Sequence, residues 1–150
     1  MMQKKTTAGL MLAALLASTG MVSAQSLADI EAAAKAEGML TTIALPHSWC
    51  NYGAVIDGFK AKYPWITVNE LNPDAGSGDE VEAIKANKGN TGPQAPDVVD
   101  VGLAFGPQMV AEGLVQPYKV STWDEIPDNI KDADGYWYGD YYGVMSFLVN

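Results

Sequence analysis

The chain has 150 residues and is 48% apolar, enough to bury one core of ordinary domain size. Nine lysines and no arginine stand against 18 Asp and Glu, a formal net charge of −9, which argues against nucleic acid and anionic membrane surfaces as partners. A lone cysteine, Cys50, rules out an internal disulfide.

In chain order, "MMQKKTTAGLMLAALLASTGMVSAQS" opens with Lys4 and Lys5, continues as an apolar run, and ends in small residues before Gln25. That is the pattern of a cleaved secretory signal peptide over residues 1–24. A membrane anchor is the alternative, but Ser18, Thr19 and Gly20 interrupt the run. Loss of Lys4 and Lys5 leaves seven lysines against 18 acids, near −11.

The remainder alternates between helical and strand periods. "SLADIEAAAKAEG" reads as a helix capped by Ser26 with Asp29 in the capping-box position and closed by Gly38. "MLTTIAL" (39–45) reads as a buried strand. "YGAVIDGFKAKYP" puts Val55, Ile56, Phe59 and Tyr63 on one helical face, with Asn51 as cap and Pro64 as stop. "WITVNEL" is a second strand. "SGDEVEAIKANKG" is a helix opened by Ser77, with Glu80 completing a capping box. "PDVVDVG" is a third strand, and "FGPQMVAEG" a short helix with Pro107 near its start and Gly113 at its end. A polar stretch, "TWDEIPDNIKDAD", leads to "GYWYGDYYGVMSFLVN", read as a hairpin turning at Gly139-Asp140. The sequence stops inside that last apolar run, as the front part of a longer protein would.

Strand–helix alternation predicts an α/β fold, a mostly parallel sheet with helices on both faces. In such sheets ligands sit beyond the carboxyl ends of the strands, near the switch in strand order. Three loops, 46–52, 72–78 and 102–106, should therefore share one rim.

This order of elements resembles the extracellular solute-binding proteins of bacterial ABC importers. The branch is that of the type II periplasmic binding fold with ferric-iron, thiamine, phosphonate and sugar-phosphate binders. The likeness runs through the signal peptide, "AEGMLTTIALP", "VIDGFKAKYPWITV", "GSGDEVEAIKA", "APDVVDVG", "MVAEGLVQPY" and "GYWYGDYYGVMSFLVN". It implies a monomeric periplasmic receptor that captures a small-molecule solute and delivers it to an inner-membrane ABC permease. No catalysis, cofactor, metal or nucleic acid is implied. Residues 25–150 would form the first of two lobes and run into the hinge near "FLVN", with the second lobe missing.

Candidate site residues follow from the rim. His47, Ser48, Trp49 and Tyr52 belong to the first loop, where they either contact a ligand or simply pack. Cys50 beside them reads either as a small buried residue, the commoner case, or as a reactive exposed thiol. Ser77 and Gly78 either approach a ligand at a helix start or serve only helix formation. Asp100 ends the third strand, where a carboxylate either binds a cationic or hydroxylated solute or caps the turn before Gly102. Tyr141 and Tyr142 are either a stacked ligand wall or ordinary core and edge cover.

A zinc site asks for three or four protein ligands, and the chain offers one His and one Cys. A Cys–His nucleophile pair asks for an orienting group and an oxyanion hole that no motif suggests. HExxH, GxSxG and P-loop patterns are missing from the sequence. The rival readings are a secreted enzyme using Cys50 and His47 or a metal, a sensor or adhesion module, and a ferric-iron or thiamine binder of the same family. The "GSG" loop and the family likeness tilt the solute toward a phosphorylated or phosphonate compound, while Asp79, Glu80 and Asp100 favour a cation or polyol.

Overall fold

The computed structural model describes residues 26–143. The signal peptide expected over 1–24 and the terminal strand expected beyond Gly143 lie outside the described residues. Helix α1 (Leu27–Glu37) starts at Ser26, whose Oγ accepts from the Asp29 N–H at 3.3 Å and donates to Asp29 Oδ2 at 2.7 Å. It ends at Gly38, in the left-handed region at φ 74°. Its surface contact includes Lys35, whose ammonium lies 5.0 Å from the Trp65 ring.

Strand β1 (Met39–Ile43) follows at once and carries the core: Thr41, Thr42, Ile43 and Ala44 are all buried. Helix α2 (Tyr52–Lys62) buries Ile56, but Val55 is 60% exposed, so the expected apolar face is narrower than its spacing suggested. Asn51 occupies the N-cap position at φ 63° and makes no side-chain cap. Strand β2 (Thr67–Leu71) pairs parallel with β1, Met39 opposite Thr67 through Ile43 opposite Leu71. Helices α3 (Ser77–Ala86) and α4 (Phe105–Ala111) follow, burying Val81 and Met109.

The third strand expected at "PDVVDVG" is a single parallel bridge, Thr42 to Val98, on the edge of β1 away from β2. The reason is local. Asp97 donates its N–H to the Thr41 carbonyl (2.8 Å), and its carboxylate accepts the Thr41 N–H (2.7 Å). The Thr41 N–H is thus bonded by a side chain rather than by a strand carbonyl, so the pairing at that point is not a regular ladder. β1 is central, with a parallel neighbour on each side, so the strand order switches at β1.

An earlier hairpin was not expected: an antiparallel bridge joins Lys131 to Tyr138 around a turn at Asp132–Gly135, while the last strand of the hairpin expected at Gly139-Asp140 lies outside the described residues. Asp132 Oδ2 accepts from the N–H groups of Asp134 and Tyr136, and Gly135 takes φ 92°, a conformation that favours glycine. Trp123 stacks edge-on to Tyr138 and lies under the ammonium groups of Lys119 and Lys131. Trp137 packs against Gly106, joining α4 to the hairpin.

The Asp97 clip is testable. Asp97→Ala strands a part-buried N–H of Thr41 and should cost about 1–3 kcal/mol in urea unfolding. Asp97→Asn keeps an acceptor and should recover most of that loss; equal losses in both variants would contradict the assignment.

Candidate functional site

The loop after β1 closes on itself through successive turns. Trp49 N–H donates to the Pro46 carbonyl, Tyr52 N–H to the Trp49 carbonyl (each 2.9 Å), and Gly53 N–H to the His47 carbonyl (3.2 Å). A Cβ on Gly53 would stand 3.1 Å from that His47 oxygen, so a larger residue there would crowd the start of α2 against the loop. Ala44, Cys50 and Asn51 all take positive φ, 57°, 46° and 63°. Such backbone is costly for residues other than glycine and is often kept at binding sites. The turns leave Trp49 57% exposed.

The start of α3 differs from the expected capping box. The cap is Gly76, whose N–H donates to Asp79 Oδ2 at 3.0 Å. That frees Ser77 and Glu80 for longer-range bonds. Ser77 Oγ accepts the Gly102 N–H (3.1 Å), and Glu80 Oε2 accepts the Asp100 N–H (3.0 Å). The loop after the third segment is thereby pinned to the helix start after β2.

The three loops meet around a cleft of about 170 Å³. Ala44, Pro46, Trp49 and Tyr52 line it from the first loop and α2. Ala75, Gly76, Ser77 and Glu80 do so from the second and α3, and Asp100 and Gly102 from the third; Tyr141 closes one side. Five of the sequence-derived candidates thus come together: Trp49, Tyr52, Ser77, Asp100 and Tyr141. The other four do not line it. His47 turns to β2, where its Nε2 and the Lys60 ammonium (2.7 Å) share the Glu70 carboxylate. Ser48 and Gly78 are exposed outside the cleft, and Tyr142 is 89% exposed. Of the two readings of Cys50, buried or exposed, the structure shows the exposed one. Cys50 makes no hydrogen bond to His47 among the described residues. No group of three or more His, Cys, Asp or Glu there has metal-binding geometry.

Two site residues were not anticipated as such. Glu80, read as half of a capping box, is 1% exposed and faces the cleft. Asp140, read as a turn residue, lies 3.1 Å from the Tyr52 hydroxyl. That hydroxyl also bonds Asp100, and its single proton serves one carboxylate at a time. No lysine lines the cleft.

Electrostatics follow from this crowding. Burial, then the charges of Asp100 and Asp79, push the Glu80 carboxyl up to about 7, against the opposing Asp100 N–H bond. Burial and the Asp140 charge also raise Asp100, although the Tyr52 hydroxyl bond works against this. The Tyr52 phenol is raised, first by burial and then by its bond to Asp100. Outside the cleft, the His47 and then the Lys60 hydrogen bonds lower Glu70. A larger depression of about 350 Å³ lies near the ends of α3 and α4, beside Asn87, Lys88 and Gly113. It contains none of these candidates.

No family model matches the chain, and no curated protein matches it.

A carboxyl whose value is raised by folding stabilises the protein below its unfolded value, near 4.3, and that stability is lost as pH rises through about 7. Glu80→Gln keeps an acceptor for the Asp100 N–H without ionising. It should therefore gain on wild type between about pH 5 and pH 8, by up to about 3 kcal/mol at the upper end. Thermal or urea unfolding across that range measures the gap; a gap independent of pH would rule out a buried, titrating Glu80.

Proposed function

We propose that the protein is a periplasmic solute-binding receptor of an ABC importer, with residues 25–150 as the first lobe of a two-lobe type II periplasmic binding fold. One observation carries this reading: three loops at the carboxyl ends of parallel strands converge on a single cleft walled by Trp49, Tyr52 and Tyr141. The order of elements and the resemblance of the sequence support it. In this reading a second lobe closes over the solute. Contact with both lobes shifts the open–closed balance, and the membrane permease recognises the closed form. No bond is made or broken.

The cleft chemistry favours a cationic or polyhydroxylated solute over the phosphorylated or phosphonate one suggested by the Gly-Ser-Gly loop. A phosphate there would face Glu80 and Asp100, with Asp140 behind the Tyr52 hydroxyl and no lysine among the lining residues. Aromatic faces and carboxylates suit an ammonium or a sugar ring.

A thermal-shift screen of the complete protein against amines, thiamine compounds, sugars, organophosphates and ferric salts tests this. A cation or polyol should raise the melting temperature, by an amount equivalent to about 2.7 kcal/mol at a hundredfold excess over Kd. Organophosphates should not. The same solute should change the tryptophan fluorescence of wild type and not of Trp49→Phe. Failure of every solute class to shift the transition would refute the receptor reading.

A further inference from the structure

We propose that Glu80 is the anchor for a cationic group of the solute and releases a proton when that cation binds, so that capture is coupled to proton release. This rests on the cleft being the solute site. Glu80 is 1% exposed and lines the cleft. Its Oε2 accepts the Asp100 N–H, and Oε1 accepts no hydrogen bond among the described residues. The Glu80 carboxyl lines a cleft walled by Trp49, Tyr52 and Tyr141, where an incoming cation meets a negative charge and aromatic faces together.

The groups around it carry the argument further. Asp79 stands on the same helix, Asp100 on the third segment, and Asp140 past the hairpin. Tyr52 from α2 and Tyr141 bring phenol groups. No lysine is ion-paired with Glu80, Asp100 or Asp140 among the described residues. Burial and like charge therefore keep the proton on Glu80 when no cation is near. An ammonium entering between Trp49, Tyr52 and Tyr141 reverses that balance. It places a positive charge beside Glu80 and lies against aromatic faces. The proton leaves the Glu80 carboxyl for the solvent, and no covalent bond of the solute changes.

The test follows the Glu80 side-chain carboxyl carbon by NMR against pH in the wild-type protein. The signal is assigned by through-bond correlation and by its disappearance in Glu80→Gln. Tetramethylammonium chloride is the probe, with sodium chloride at equal ionic strength as control. The Glu80 midpoint should lie well above that of an ordinary carboxyl, and tetramethylammonium should lower it by about one unit relative to sodium. Correspondingly, tetramethylammonium should bind about fivefold tighter at pH 8 than at pH 6, a difference absent from Glu80→Gln. A midpoint at the ordinary carboxyl value, or the same midpoint in both salts, overturns the proposal whether or not the variant folds. The two readings separate cleanly. A neutral sugar that raises the melting temperature while Glu80 ignores tetramethylammonium keeps the receptor and removes the proton coupling. A tetramethylammonium effect without any solute-induced thermal shift keeps the proton-linked cation site and removes the receptor.

Discussion

A carboxylate that folding leaves 1% exposed must find a donor, and Glu80 finds the backbone N–H of Asp100 at 3.0 Å. The shape of the cleft depends on this bond. The third segment has one bridge to β1 and no ladder to hold it. It is fixed instead by side chains at two levels. Asp97 grips Thr41 within the sheet, and Glu80 with Ser77 grips the backbone of Asp100 and Gly102 above it. Side-chain bonds replace strand pairing where the chain must leave the sheet and turn toward the rim.

The same crowding defines the chemistry of the cleft. Three carboxylates, Glu80, Asp100 and Asp140, converge with one tyrosine hydroxyl to share between Asp100 and Asp140. On the other side of the first loop, His47 and Lys60 are both engaged by Glu70. The chain's single histidine and Lys60 are thus committed to Glu70, while Glu80 and Asp100 line the cleft with no lysine paired to them among the described residues. A surface ion pair of this kind adds little to stability. Its consequence is positional: it steadies the outer side of a loop whose inner side presents Trp49 and Tyr52.

Much of the fold was legible locally. Ser26 with Asp29, Gly38 after α1, and the stop before Pro64 depend on neighbours within a turn or so, and a sequence displays such neighbours directly. The parallel arrangement and the shared rim were legible too, since strand–helix alternation permits few topologies. Errors arose where two local patterns overlapped. "GSGDE" contains both Ser77 with Glu80 and Gly76 with Asp79 at capping spacing; the helix uses the second because burial claims Glu80 for Asp100. The turn at Asp132–Gly135 has its own local signal, the Asp134-Gly135 pair two residues before Trp137. Val55 lies on the apolar stripe of α2, yet nothing in its spacing says that no partner covers it.

The sequence by itself determined the parallel α/β character of the described residues, the main helix boundaries, and which loops lie at the carboxyl ends of the strands. Periodicity and capping are short-range properties, carried by residues close together along the chain. The tertiary structure alone decided which side chains on those loops face inward. It turned His47 to Glu70, exposed Cys50, and joined Glu80 with Asp100, Asp140 and Tyr52, residues up to 88 positions apart. Burial and charge crowding act through space, so the acidity of the cleft depends on contacts that sequence spacing does not encode.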